Sequence, residues 1–535
     1  MRTPPGVSPA DFAAAIREFQ AAVGPDWVFT DEATVDLYKD AYSPMWGEAS
    51  EKVASAAVAP ESVEQVQAIV RTAGRYKVPL YTISTGRNLA YGGSAPVFSG
   101  SVVLDLKRMN RILEVNEDNA CCLVEPGVSY FDLYRHIRER GLKLWIDPPD
   151  PGWGSPVGNA LDHGAGRTPL PYRDHFDAHC GMEVVLANGE VVRTGMGALP
   201  GAKTWQQFKY GAGPFVDGIF SQSNFGVVTK MGFWLMPEPE AVLAGSIMVP
   251  RHDDLIPFVK IISSLMYAGV VNCTFGMSSP VFNGPRNAEI EALLDKPDGG
   301  SPEEWDAYAR SKGTHFWQTS LNFYGPLNVV QAQWEHVKKR FSEIPGARFA
   351  DGEVLHFPLS DEQISKISDP VYLGIPSLNV FSTLMQLDGD NGAPVAGHLD
   401  ASPILPLDGR ELLKAHRVFA RLFKEQGLTQ FVGFAMSYHW RSLIMFQGVH
   451  TTHDPKENAR VRDTYARIID TASQNGWGIY RTHAAFMDKV VGHYSYNNHA
   501  LLRLHETIKD ALDPDGILSP GRYGIWPKAL RGSRA

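Results

Sequence analysis

Residues 84–96 read STGRNLAYGGSAP and follow directly on the apolar run VPLYTI. A Gly, an Arg, an Asn and a Gly-Gly pair stand behind what reads as a strand, with one bulky aromatic, Tyr91, in their midst. The spacing fits neither the P-loop nor the dinucleotide fingerprint of strand–turn–helix units. Successive backbone N–H groups in a Gly-rich turn can still form a concave nest that binds anions without a lysine. On the loop alone, that reading and a ligand-free glycine turn both stand.

Working outward, Val53 to Val58 reads as a strand, and PESVEQVQAIVRTAGRYK (60–77) as a helix. Ser62 and Gln65 have capping-box spacing, and Val63, Val66, Ile69 and Val70 share one face. With VPLYTIST this makes a βαβ unit that ends in the Gly-rich loop. GSVVLDL (100–106) and CCLVEPG (121–127) read as further strands, and YFDLYRHIRERGL (130–142) as a helix. GMEVVLANGEVVRTG (181–195) reads as a hairpin turning at Asn188-Gly189. SQSNFGVVTKMGFWLMPEP (221–239) closes the block in a strand and a Pro-rich boundary, after which longer helices and strands alternate.

A chain of 535 residues is too long for one core. The pattern divides it into 1–239, a second domain over 240–490, and a turn-rich tail, 491–535, expected to fold back onto the first. A formal charge of −9 carries no basic footprint for nucleic acid. Four scattered cysteines make no disulfide framework, and adjacent Cys121 and Cys122 read as opposite faces of a strand rather than metal ligands. The N-terminus, a tail and then an amphipathic helix, lacks a signal-like apolar core, and no apolar run reaches membrane length. The expectation is a soluble cytoplasmic protein without a metal site.

PGVSYFDL (126–133), GWGSPVGNALDHGAG (152–166) and DGIFSQSNFGVVTKMG (217–232) repeat the mixture of Gly with small polar residues. Glycine admits close backbone approach, and Ser, Asn and Gln offer donors and acceptors to a heterocycle. Four such segments in one predicted domain point to one large cofactor site rather than four separate turns.

These segments, with GMEVVLANGEVVRTGMGALP and DPDGILSPGRYGIWP, resemble the vanillyl-alcohol oxidase and p-cresol methylhydroxylase flavoproteins over about residues 50 to 525, the bacterial eugenol-oxidase branch above all. The resemblance implies an α+β fold: a two-domain FAD-binding architecture with an α/β cap over the substrate. It implies that Thr85, Gly86, Arg87, Asn88, Gly92, Gly93, Pro126, Gly127, Gly154, Ser155, Gly158, Asn159, Gly226, Val227 and Arg522 hold FAD. GHLDASPILP (397–406) is similar to the segment whose histidine bonds the flavin 8α-methyl, which assigns that role to His398. GIYRTHAAFMD (478–488) assigns Tyr480 and Arg481, with Tyr91, to the substrate's phenolic oxygen. WIDPPDPGWGS (145–155) puts Asp150, with Asp147 the alternative, beside the reacting carbon as a base.

Departures from the family pattern gather around the expected pocket. Arg167 stands where a tyrosine is usual, in a segment, RTPLPYRDHF (167–176), that is two residues longer than its counterpart. Asp400 lies two residues after His398, Asn379-Val380 replaces an acidic pair, FAMSYHWRSL (434–443) differs, and the loop within 386–398 is longer. Arg167 and Asp400, with Ser402, either pair with each other or meet polar groups of a larger phenol. The implied activity is oxidation of para-substituted phenols by hydride transfer to covalent FAD, with O2 reduced to hydrogen peroxide. The alternatives are a cytochrome-coupled dehydrogenase of the same family and a catalytically silent flavin-binding protein. A homodimer or larger homo-oligomer is implied.

Overall fold

The computed structural model describes residues 2–282, 287–296, 299–384, 395–428, 435–437 and 439–533. Of the longer loop expected within 386–398, residues 386–394 lie outside the described residues, as do Phe434 and Tyr438.

Strands Ala56–Val58 and Leu80–Ile83 both run parallel to Val102–Asp105, which lies between them, while Val28–Phe29 forms an antiparallel edge. The expected βαβ crossover is thus present with one strand interposed. Val102–Asp105 is buried along its whole length and takes the central position. The connecting helix, Val63–Tyr76, begins where the Ser62 hydroxyl accepts the Gln65 N–H, and ends at Lys77 in the left-handed conformation. It packs Val66, Ile69 and Val70 against the N-terminal helix Pro9–Val23 and the sheet. Full burial of each such side chain contributes about 1.5–3 kcal/mol relative to exposure.

A second sheet is antiparallel throughout, in the order Ile112–Asn116, Cys121–Val124, Val227–Trp234, His179–Val185, Val191–Arg193. The last two strands are the hairpin read from sequence, with Gly189 at φ 78° in its turn. The C-terminal tail returns to the first sheet. Leu80 N–H donates to Ile517 (2.7 Å) and Ser519 N–H to Leu80 (2.8 Å), so Ile517 and Leu518 enter the same core as the N-terminal helix.

One cation pins this return. Lys509 is fully buried, and its ammonium donates to Asp513 Oδ2 (2.7 Å), the Leu518 carbonyl (2.6 Å) and the Asn224 carbonyl (2.8 Å). Asn224, from the SQSNFG segment, in turn donates its amide to the Ser519 and Ile525 carbonyls.

The remaining large core draws on residues from Leu243 to Val490. Its centre is an antiparallel sheet, Trp317–Gly325, Ala241–Val249 and Arg348–His356, covered by helices Leu255–Tyr267, Leu327–Phe341 and Gly409–Gln426. A two-stranded ribbon, Gly397–Ala401 with Gln447–Thr451, faces the first domain and opposes His398 to His450.

Candidate active site

The Gly-rich loop leaves its strand at Ile83 and turns at Gly86 (φ 68°), Ala90 (66°), Gly92 (111°) and Gly93 (55°). Among the described residues, the amides of Thr85 to Ala90 donate to no carbonyl or side chain, which is the condition for an anion nest. A Cβ at Gly86 would stand 2.2 Å from Ser94 Oγ, and one at Gly158 2.2 Å from Ser84 Oγ. Those glycines exist so that helix Pro156–Leu161 and the loop can touch. Gly154 differs: a Cβ there would meet only the Pro151 carbonyl, at 3.8 Å, and would project into a cleft.

That cleft runs between the Gly-rich loop, helix Pro156–Leu161 and the SQSNFG segment. Of the residues expected to hold FAD, Thr85, Gly86, Arg87, Asn88, Gly93, Pro126, Gly154, Ser155, Gly158, Asn159, Gly226 and Arg522 line it. Gly92, Gly127 and Val227 stand behind the wall. Gly127 has three backbone carbonyls within 2.8 Å of its would-be Cβ, Val227 is a strand residue paired with Val185, and Gly92 abuts Ala484. Their contribution is to the shape of the wall rather than to contact.

At one end of the cleft the three residues expected at the phenolic oxygen come together. Arg481 lies over the Tyr91 ring, 3.9 Å from its centroid, and Tyr480 is adjacent in sequence and hydrogen-bonded to it. Arg481 Nε donates to Asp162 Oδ2 (2.9 Å) and its Nη2 to Asn88 Oδ1 (2.8 Å). Asp162 is the hub: it also accepts from Asn88 (2.9 Å) and from the Tyr523 hydroxyl, and Arg522 stands 3.6 Å away. Burial pushes the Asp162 pKa up, but Arg481 and Arg522 outweigh it and hold the carboxyl below its ordinary range. Two guanidiniums around one carboxylate leave the cluster with net positive charge. Burial drives the Tyr91 pKa well up and the Tyr480 pKa to about 12, with Arg481 offsetting part of each, so both hydroxyls remain donors at neutral pH.

The loop carrying Tyr480 and Arg481 is itself clamped. Gln222 donates to the Tyr480 carbonyl (2.9 Å), and buried His483 pairs with Asp40 (2.7 Å), which lies beneath Gly93. The Tyr465 hydroxyl bridges Thr482 (3.1 Å) and the Asp400 carbonyl (2.8 Å), tying the cap ribbon to this loop.

The two candidate bases have different surroundings. Asp147 is buried and saturated: it accepts from the Arg167 and Thr168 amides (3.0 Å each) and meets His175 (3.2 Å). Asp150 is half-buried; its Oδ2 accepts the Val380 N–H (3.2 Å), while its buried Oδ1 has no partner among the described residues. Burial raises its pKa, against the bonds from Val380 and Ser377 and the charge of Arg167. Its neighbours belong to the 377–381 stretch, where Phe381 packs on Trp153 and Trp153 on Arg87.

On the cap ribbon His398 and Asp400 share one face, and Ser402 follows directly after the strand. His398 Nε2 lies 3.3 Å from Asp400 Oδ2, and the ring packs against Tyr42 at 5.5 Å. Arg167 does not join them. It forms an ion pair with Asp369 (2.5 Å) near the surface, both side chains about half exposed, so of the two readings left open the Arg167–Asp400 pairing is not the one seen.

Sequence reading passed over Asp162, Gln222, Asn224, Tyr465, Asp40 and Tyr523. Asp162 lay inside a quoted Gly-dense segment, but its importance rests on partners 74 to 361 residues away. The one signal available was a carboxylate in a cofactor segment of a chain that also offers two arginines beside tyrosines, Tyr480-Arg481 and Arg522-Tyr523.

Residues 54–195 match the FAD binding domain family, and 396–523 the family of FAD linked oxidases, C-terminal domain. The chain is 32% identical to the 4-cresol dehydrogenase [hydroxylating] flavoprotein subunit of Pseudomonas putida over 98% of its own length and 97% of that protein. The solved 4-ethylphenol oxidase of Gulosibacter chungangensis, in its isoeugenol complex, superposes with a TM-score of 0.85 at 36% identity, covering 99% of this chain and all of that one. p-Cresol methylhydroxylase with substrate bound gives 0.84 at 31% identity, covering 98% and 99% of the two chains. The fold and the cleft define a flavoprotein oxidoreductase. The chain belongs to the vanillyl-alcohol oxidase and p-cresol methylhydroxylase family of FAD-linked flavoproteins.

The residues present fit FAD: a nest of unpaired amides for the diphosphate, Gly154 open to the cleft, and a net-positive cluster at the far end. Among the described residues no helix is long and apolar enough to cross a membrane.

Proposed function

We propose that this chain oxidises para-substituted phenols, 4-hydroxybenzylic or allylic alcohols and 4-alkyl or 4-allyl phenols among them, with O2 as acceptor and hydrogen peroxide as product. Residues 1–239 and 491–535 would hold FAD, bonded covalently through His398, and 240–490 would form the cap. The observation that carries the reading is that Arg481 lies against Tyr91 and bonds Tyr480, with Tyr91 and Arg481 lining the cleft.

Ionising a phenol of pKa near 10 at pH 7 costs about 4 kcal/mol. Hydrogen bonds to a charged group contribute about 1.5–3 kcal/mol each, so one guanidinium and two tyrosyl hydroxyls can hold the phenolate. Asp162 and Asn88 fix the guanidinium in place, and Arg522 keeps Asp162 from neutralising it alone. The phenolate pushes electrons through the ring toward the para carbon, and FAD, when bound, supplies the hydride acceptor. Asp150, with a raised proton affinity and one oxygen uncommitted, takes the proton of a side-chain hydroxyl or of water adding to the quinone methide.

The test is anaerobic mixing of the holoenzyme with 4-hydroxybenzylic and 4-alkyl phenols, followed by oxygen. Flavin bleaching and one peroxide per substrate are expected, with flavin retained in the acid-precipitated protein. Bleaching without peroxide, but with transfer to an artificial electron acceptor, would favour a dehydrogenase. No bleaching with any phenol would sink the reading.

A further inference from the structure

At and just past the end of the cap strand that bears His398, two buried polar atoms have no partner among the described residues. Asp400 Oδ2 is engaged by His398 Nε2 at 3.3 Å, but its Oδ1 is buried and, among the described residues, has no hydrogen-bond partner. Ser402, two residues on, is fully buried with its Oγ equally unpartnered. Buried polar atoms in native proteins are nearly always paired, so an orphaned acceptor and an orphaned hydroxyl two residues apart in the chain ask for a ligand. Asp400 is near the phenol-binding end: its charge adds to the upward shift of Tyr91, and its backbone is tied through Tyr465 to Thr482, beside Arg481.

We propose that Asp400 and Ser402 form a subsite for a hydrogen-bond donor carried on the substrate ring beside the phenolic hydroxyl, so that this enzyme selects ring-hydroxylated (catechol-type) phenols over ring-methoxylated ones. This rests on the phenol-oxidation reading above. A hydroxyl donates its one proton to the carboxylate and accepts from the serine hydroxyl. A methoxy group has no proton to give; it would set an oxygen lone pair against a carboxylate already stripped of water and leave both unsatisfied. Sites built to hydrogen-bond a substrate hydroxyl reject the analogue lacking it far more strongly than apolar pockets reject a change of size. Plain phenols, with hydrogen at that position, should fall between.

The experiment compares 4-ethylcatechol, 4-ethylguaiacol and 4-ethylphenol as reductants of the holoenzyme flavin under anaerobic stopped flow. The catechol should exceed the guaiacol in reduction rate over Kd by at least about tenfold. In D400L that ratio should fall toward one, and S402A should lower it in part. Flavin content and thermal midpoint report whether each variant folds; if D400L does not, D400N, with a weaker acceptor of the same size, should give an intermediate ratio. Wild-type enzyme that reduces as fast with the guaiacol as with the catechol overturns the subsite, as does a D400L that slows all three phenols by one common factor. Both results leave phenol oxidation standing. If none of the three bleaches the flavin, the phenol reading fails and the subsite falls with it.

Discussion

On the FAD side of the cavity, the contacts come from backbone amides, from glycines that cannot bear a Cβ, and from an ion-pair cluster buried around Asp162. On the cap side they come from side chains on a ribbon and on the 377–381 stretch, with several polar atoms still unpaired. The first wall is over-determined: a change at one residue displaces several others. The second is permissive, because a side chain there can be exchanged without moving backbone. A single scaffold can therefore keep one cofactor while its substrate surface drifts, and the substitutions expected to matter most for selectivity lie on the cap.

The largest effect should follow removal of Arg481, the residue common to the FAD-side cluster and the substrate. In R481M, Asp162 loses its Nε donor, Asn88 its Nη2 donor, and the phenolate its cation. Losing one such transition-state donor costs about 10²–10³ in rate, and breaking a buried pair costs about 3–5 kcal/mol. Anaerobic flavin reduction by any phenol should drop about a thousandfold, with a lower thermal midpoint. A variant that keeps its rate within tenfold would mean that the FAD-side cluster is structural only, and the contrast between the walls would lose its basis.

A smaller effect separates glycines within the same wall. Gly92 has φ 111°, and a Cβ on it would lie 2.8 Å from Ala484 Cβ, in the loop that carries Arg481. G92A should cost about 2–4 kcal/mol of stability and slow flavin reduction by pushing Tyr91 and Arg481 apart. G154A, with open space ahead of its Cβ, should leave stability nearly unchanged and instead weaken FAD retention. Thermal melts of both variants, followed by tryptophan and by flavin fluorescence, distinguish the two outcomes. Equal losses of stability would contradict the division of the glycines into packing and cleft-facing ones.

The same difference governs how much could be read from the chain. The cofactor wall is written in glycines and local turns, which physics restricts to few residue types. The opening loop, the capping at Ser62 and the hairpin at Asn188-Gly189 were therefore legible. The return of the tail was expected from its turn residues, whereas the part of Ile517 and Leu518 in docking it is seen only in the structure. The strand Val102–Asp105 was legible too, but not its place between Ala56–Val58 and Leu80–Ile83, because strand order depends on long-range burial and not on local pattern. Asp162 was hidden for a related reason: a carboxylate is common, and only its partners, distant in sequence, make it a hub. Asp147 and Asp150 illustrate the limit of a motif, since three residues separate a carboxylate saturated by amides from one with an oxygen to spare.

The smallest expected effect tests the cap directly. Arg167 and Asp400 are the two charged departures from the family pattern, and sequence alone offered them as partners or as joint pocket residues. Their placements differ. The Arg167 guanidinium, 49% exposed, pairs with Asp369, 47% exposed, whereas the Asp400 carboxylate is 15% exposed and faces His398. Exposed ion pairs contribute about 0.2–1 kcal/mol, because water screens them and two long side chains must be held still. R167A should therefore shift stability by no more than that and leave the ratio of catechol to guaiacol reduction unchanged, the ratio D400L is expected to collapse. If R167A instead moved KM for a substituted phenol more than severalfold, the guanidinium would have to leave Asp369 and turn inward when substrate binds. The cap would then contribute two charges to selectivity rather than one.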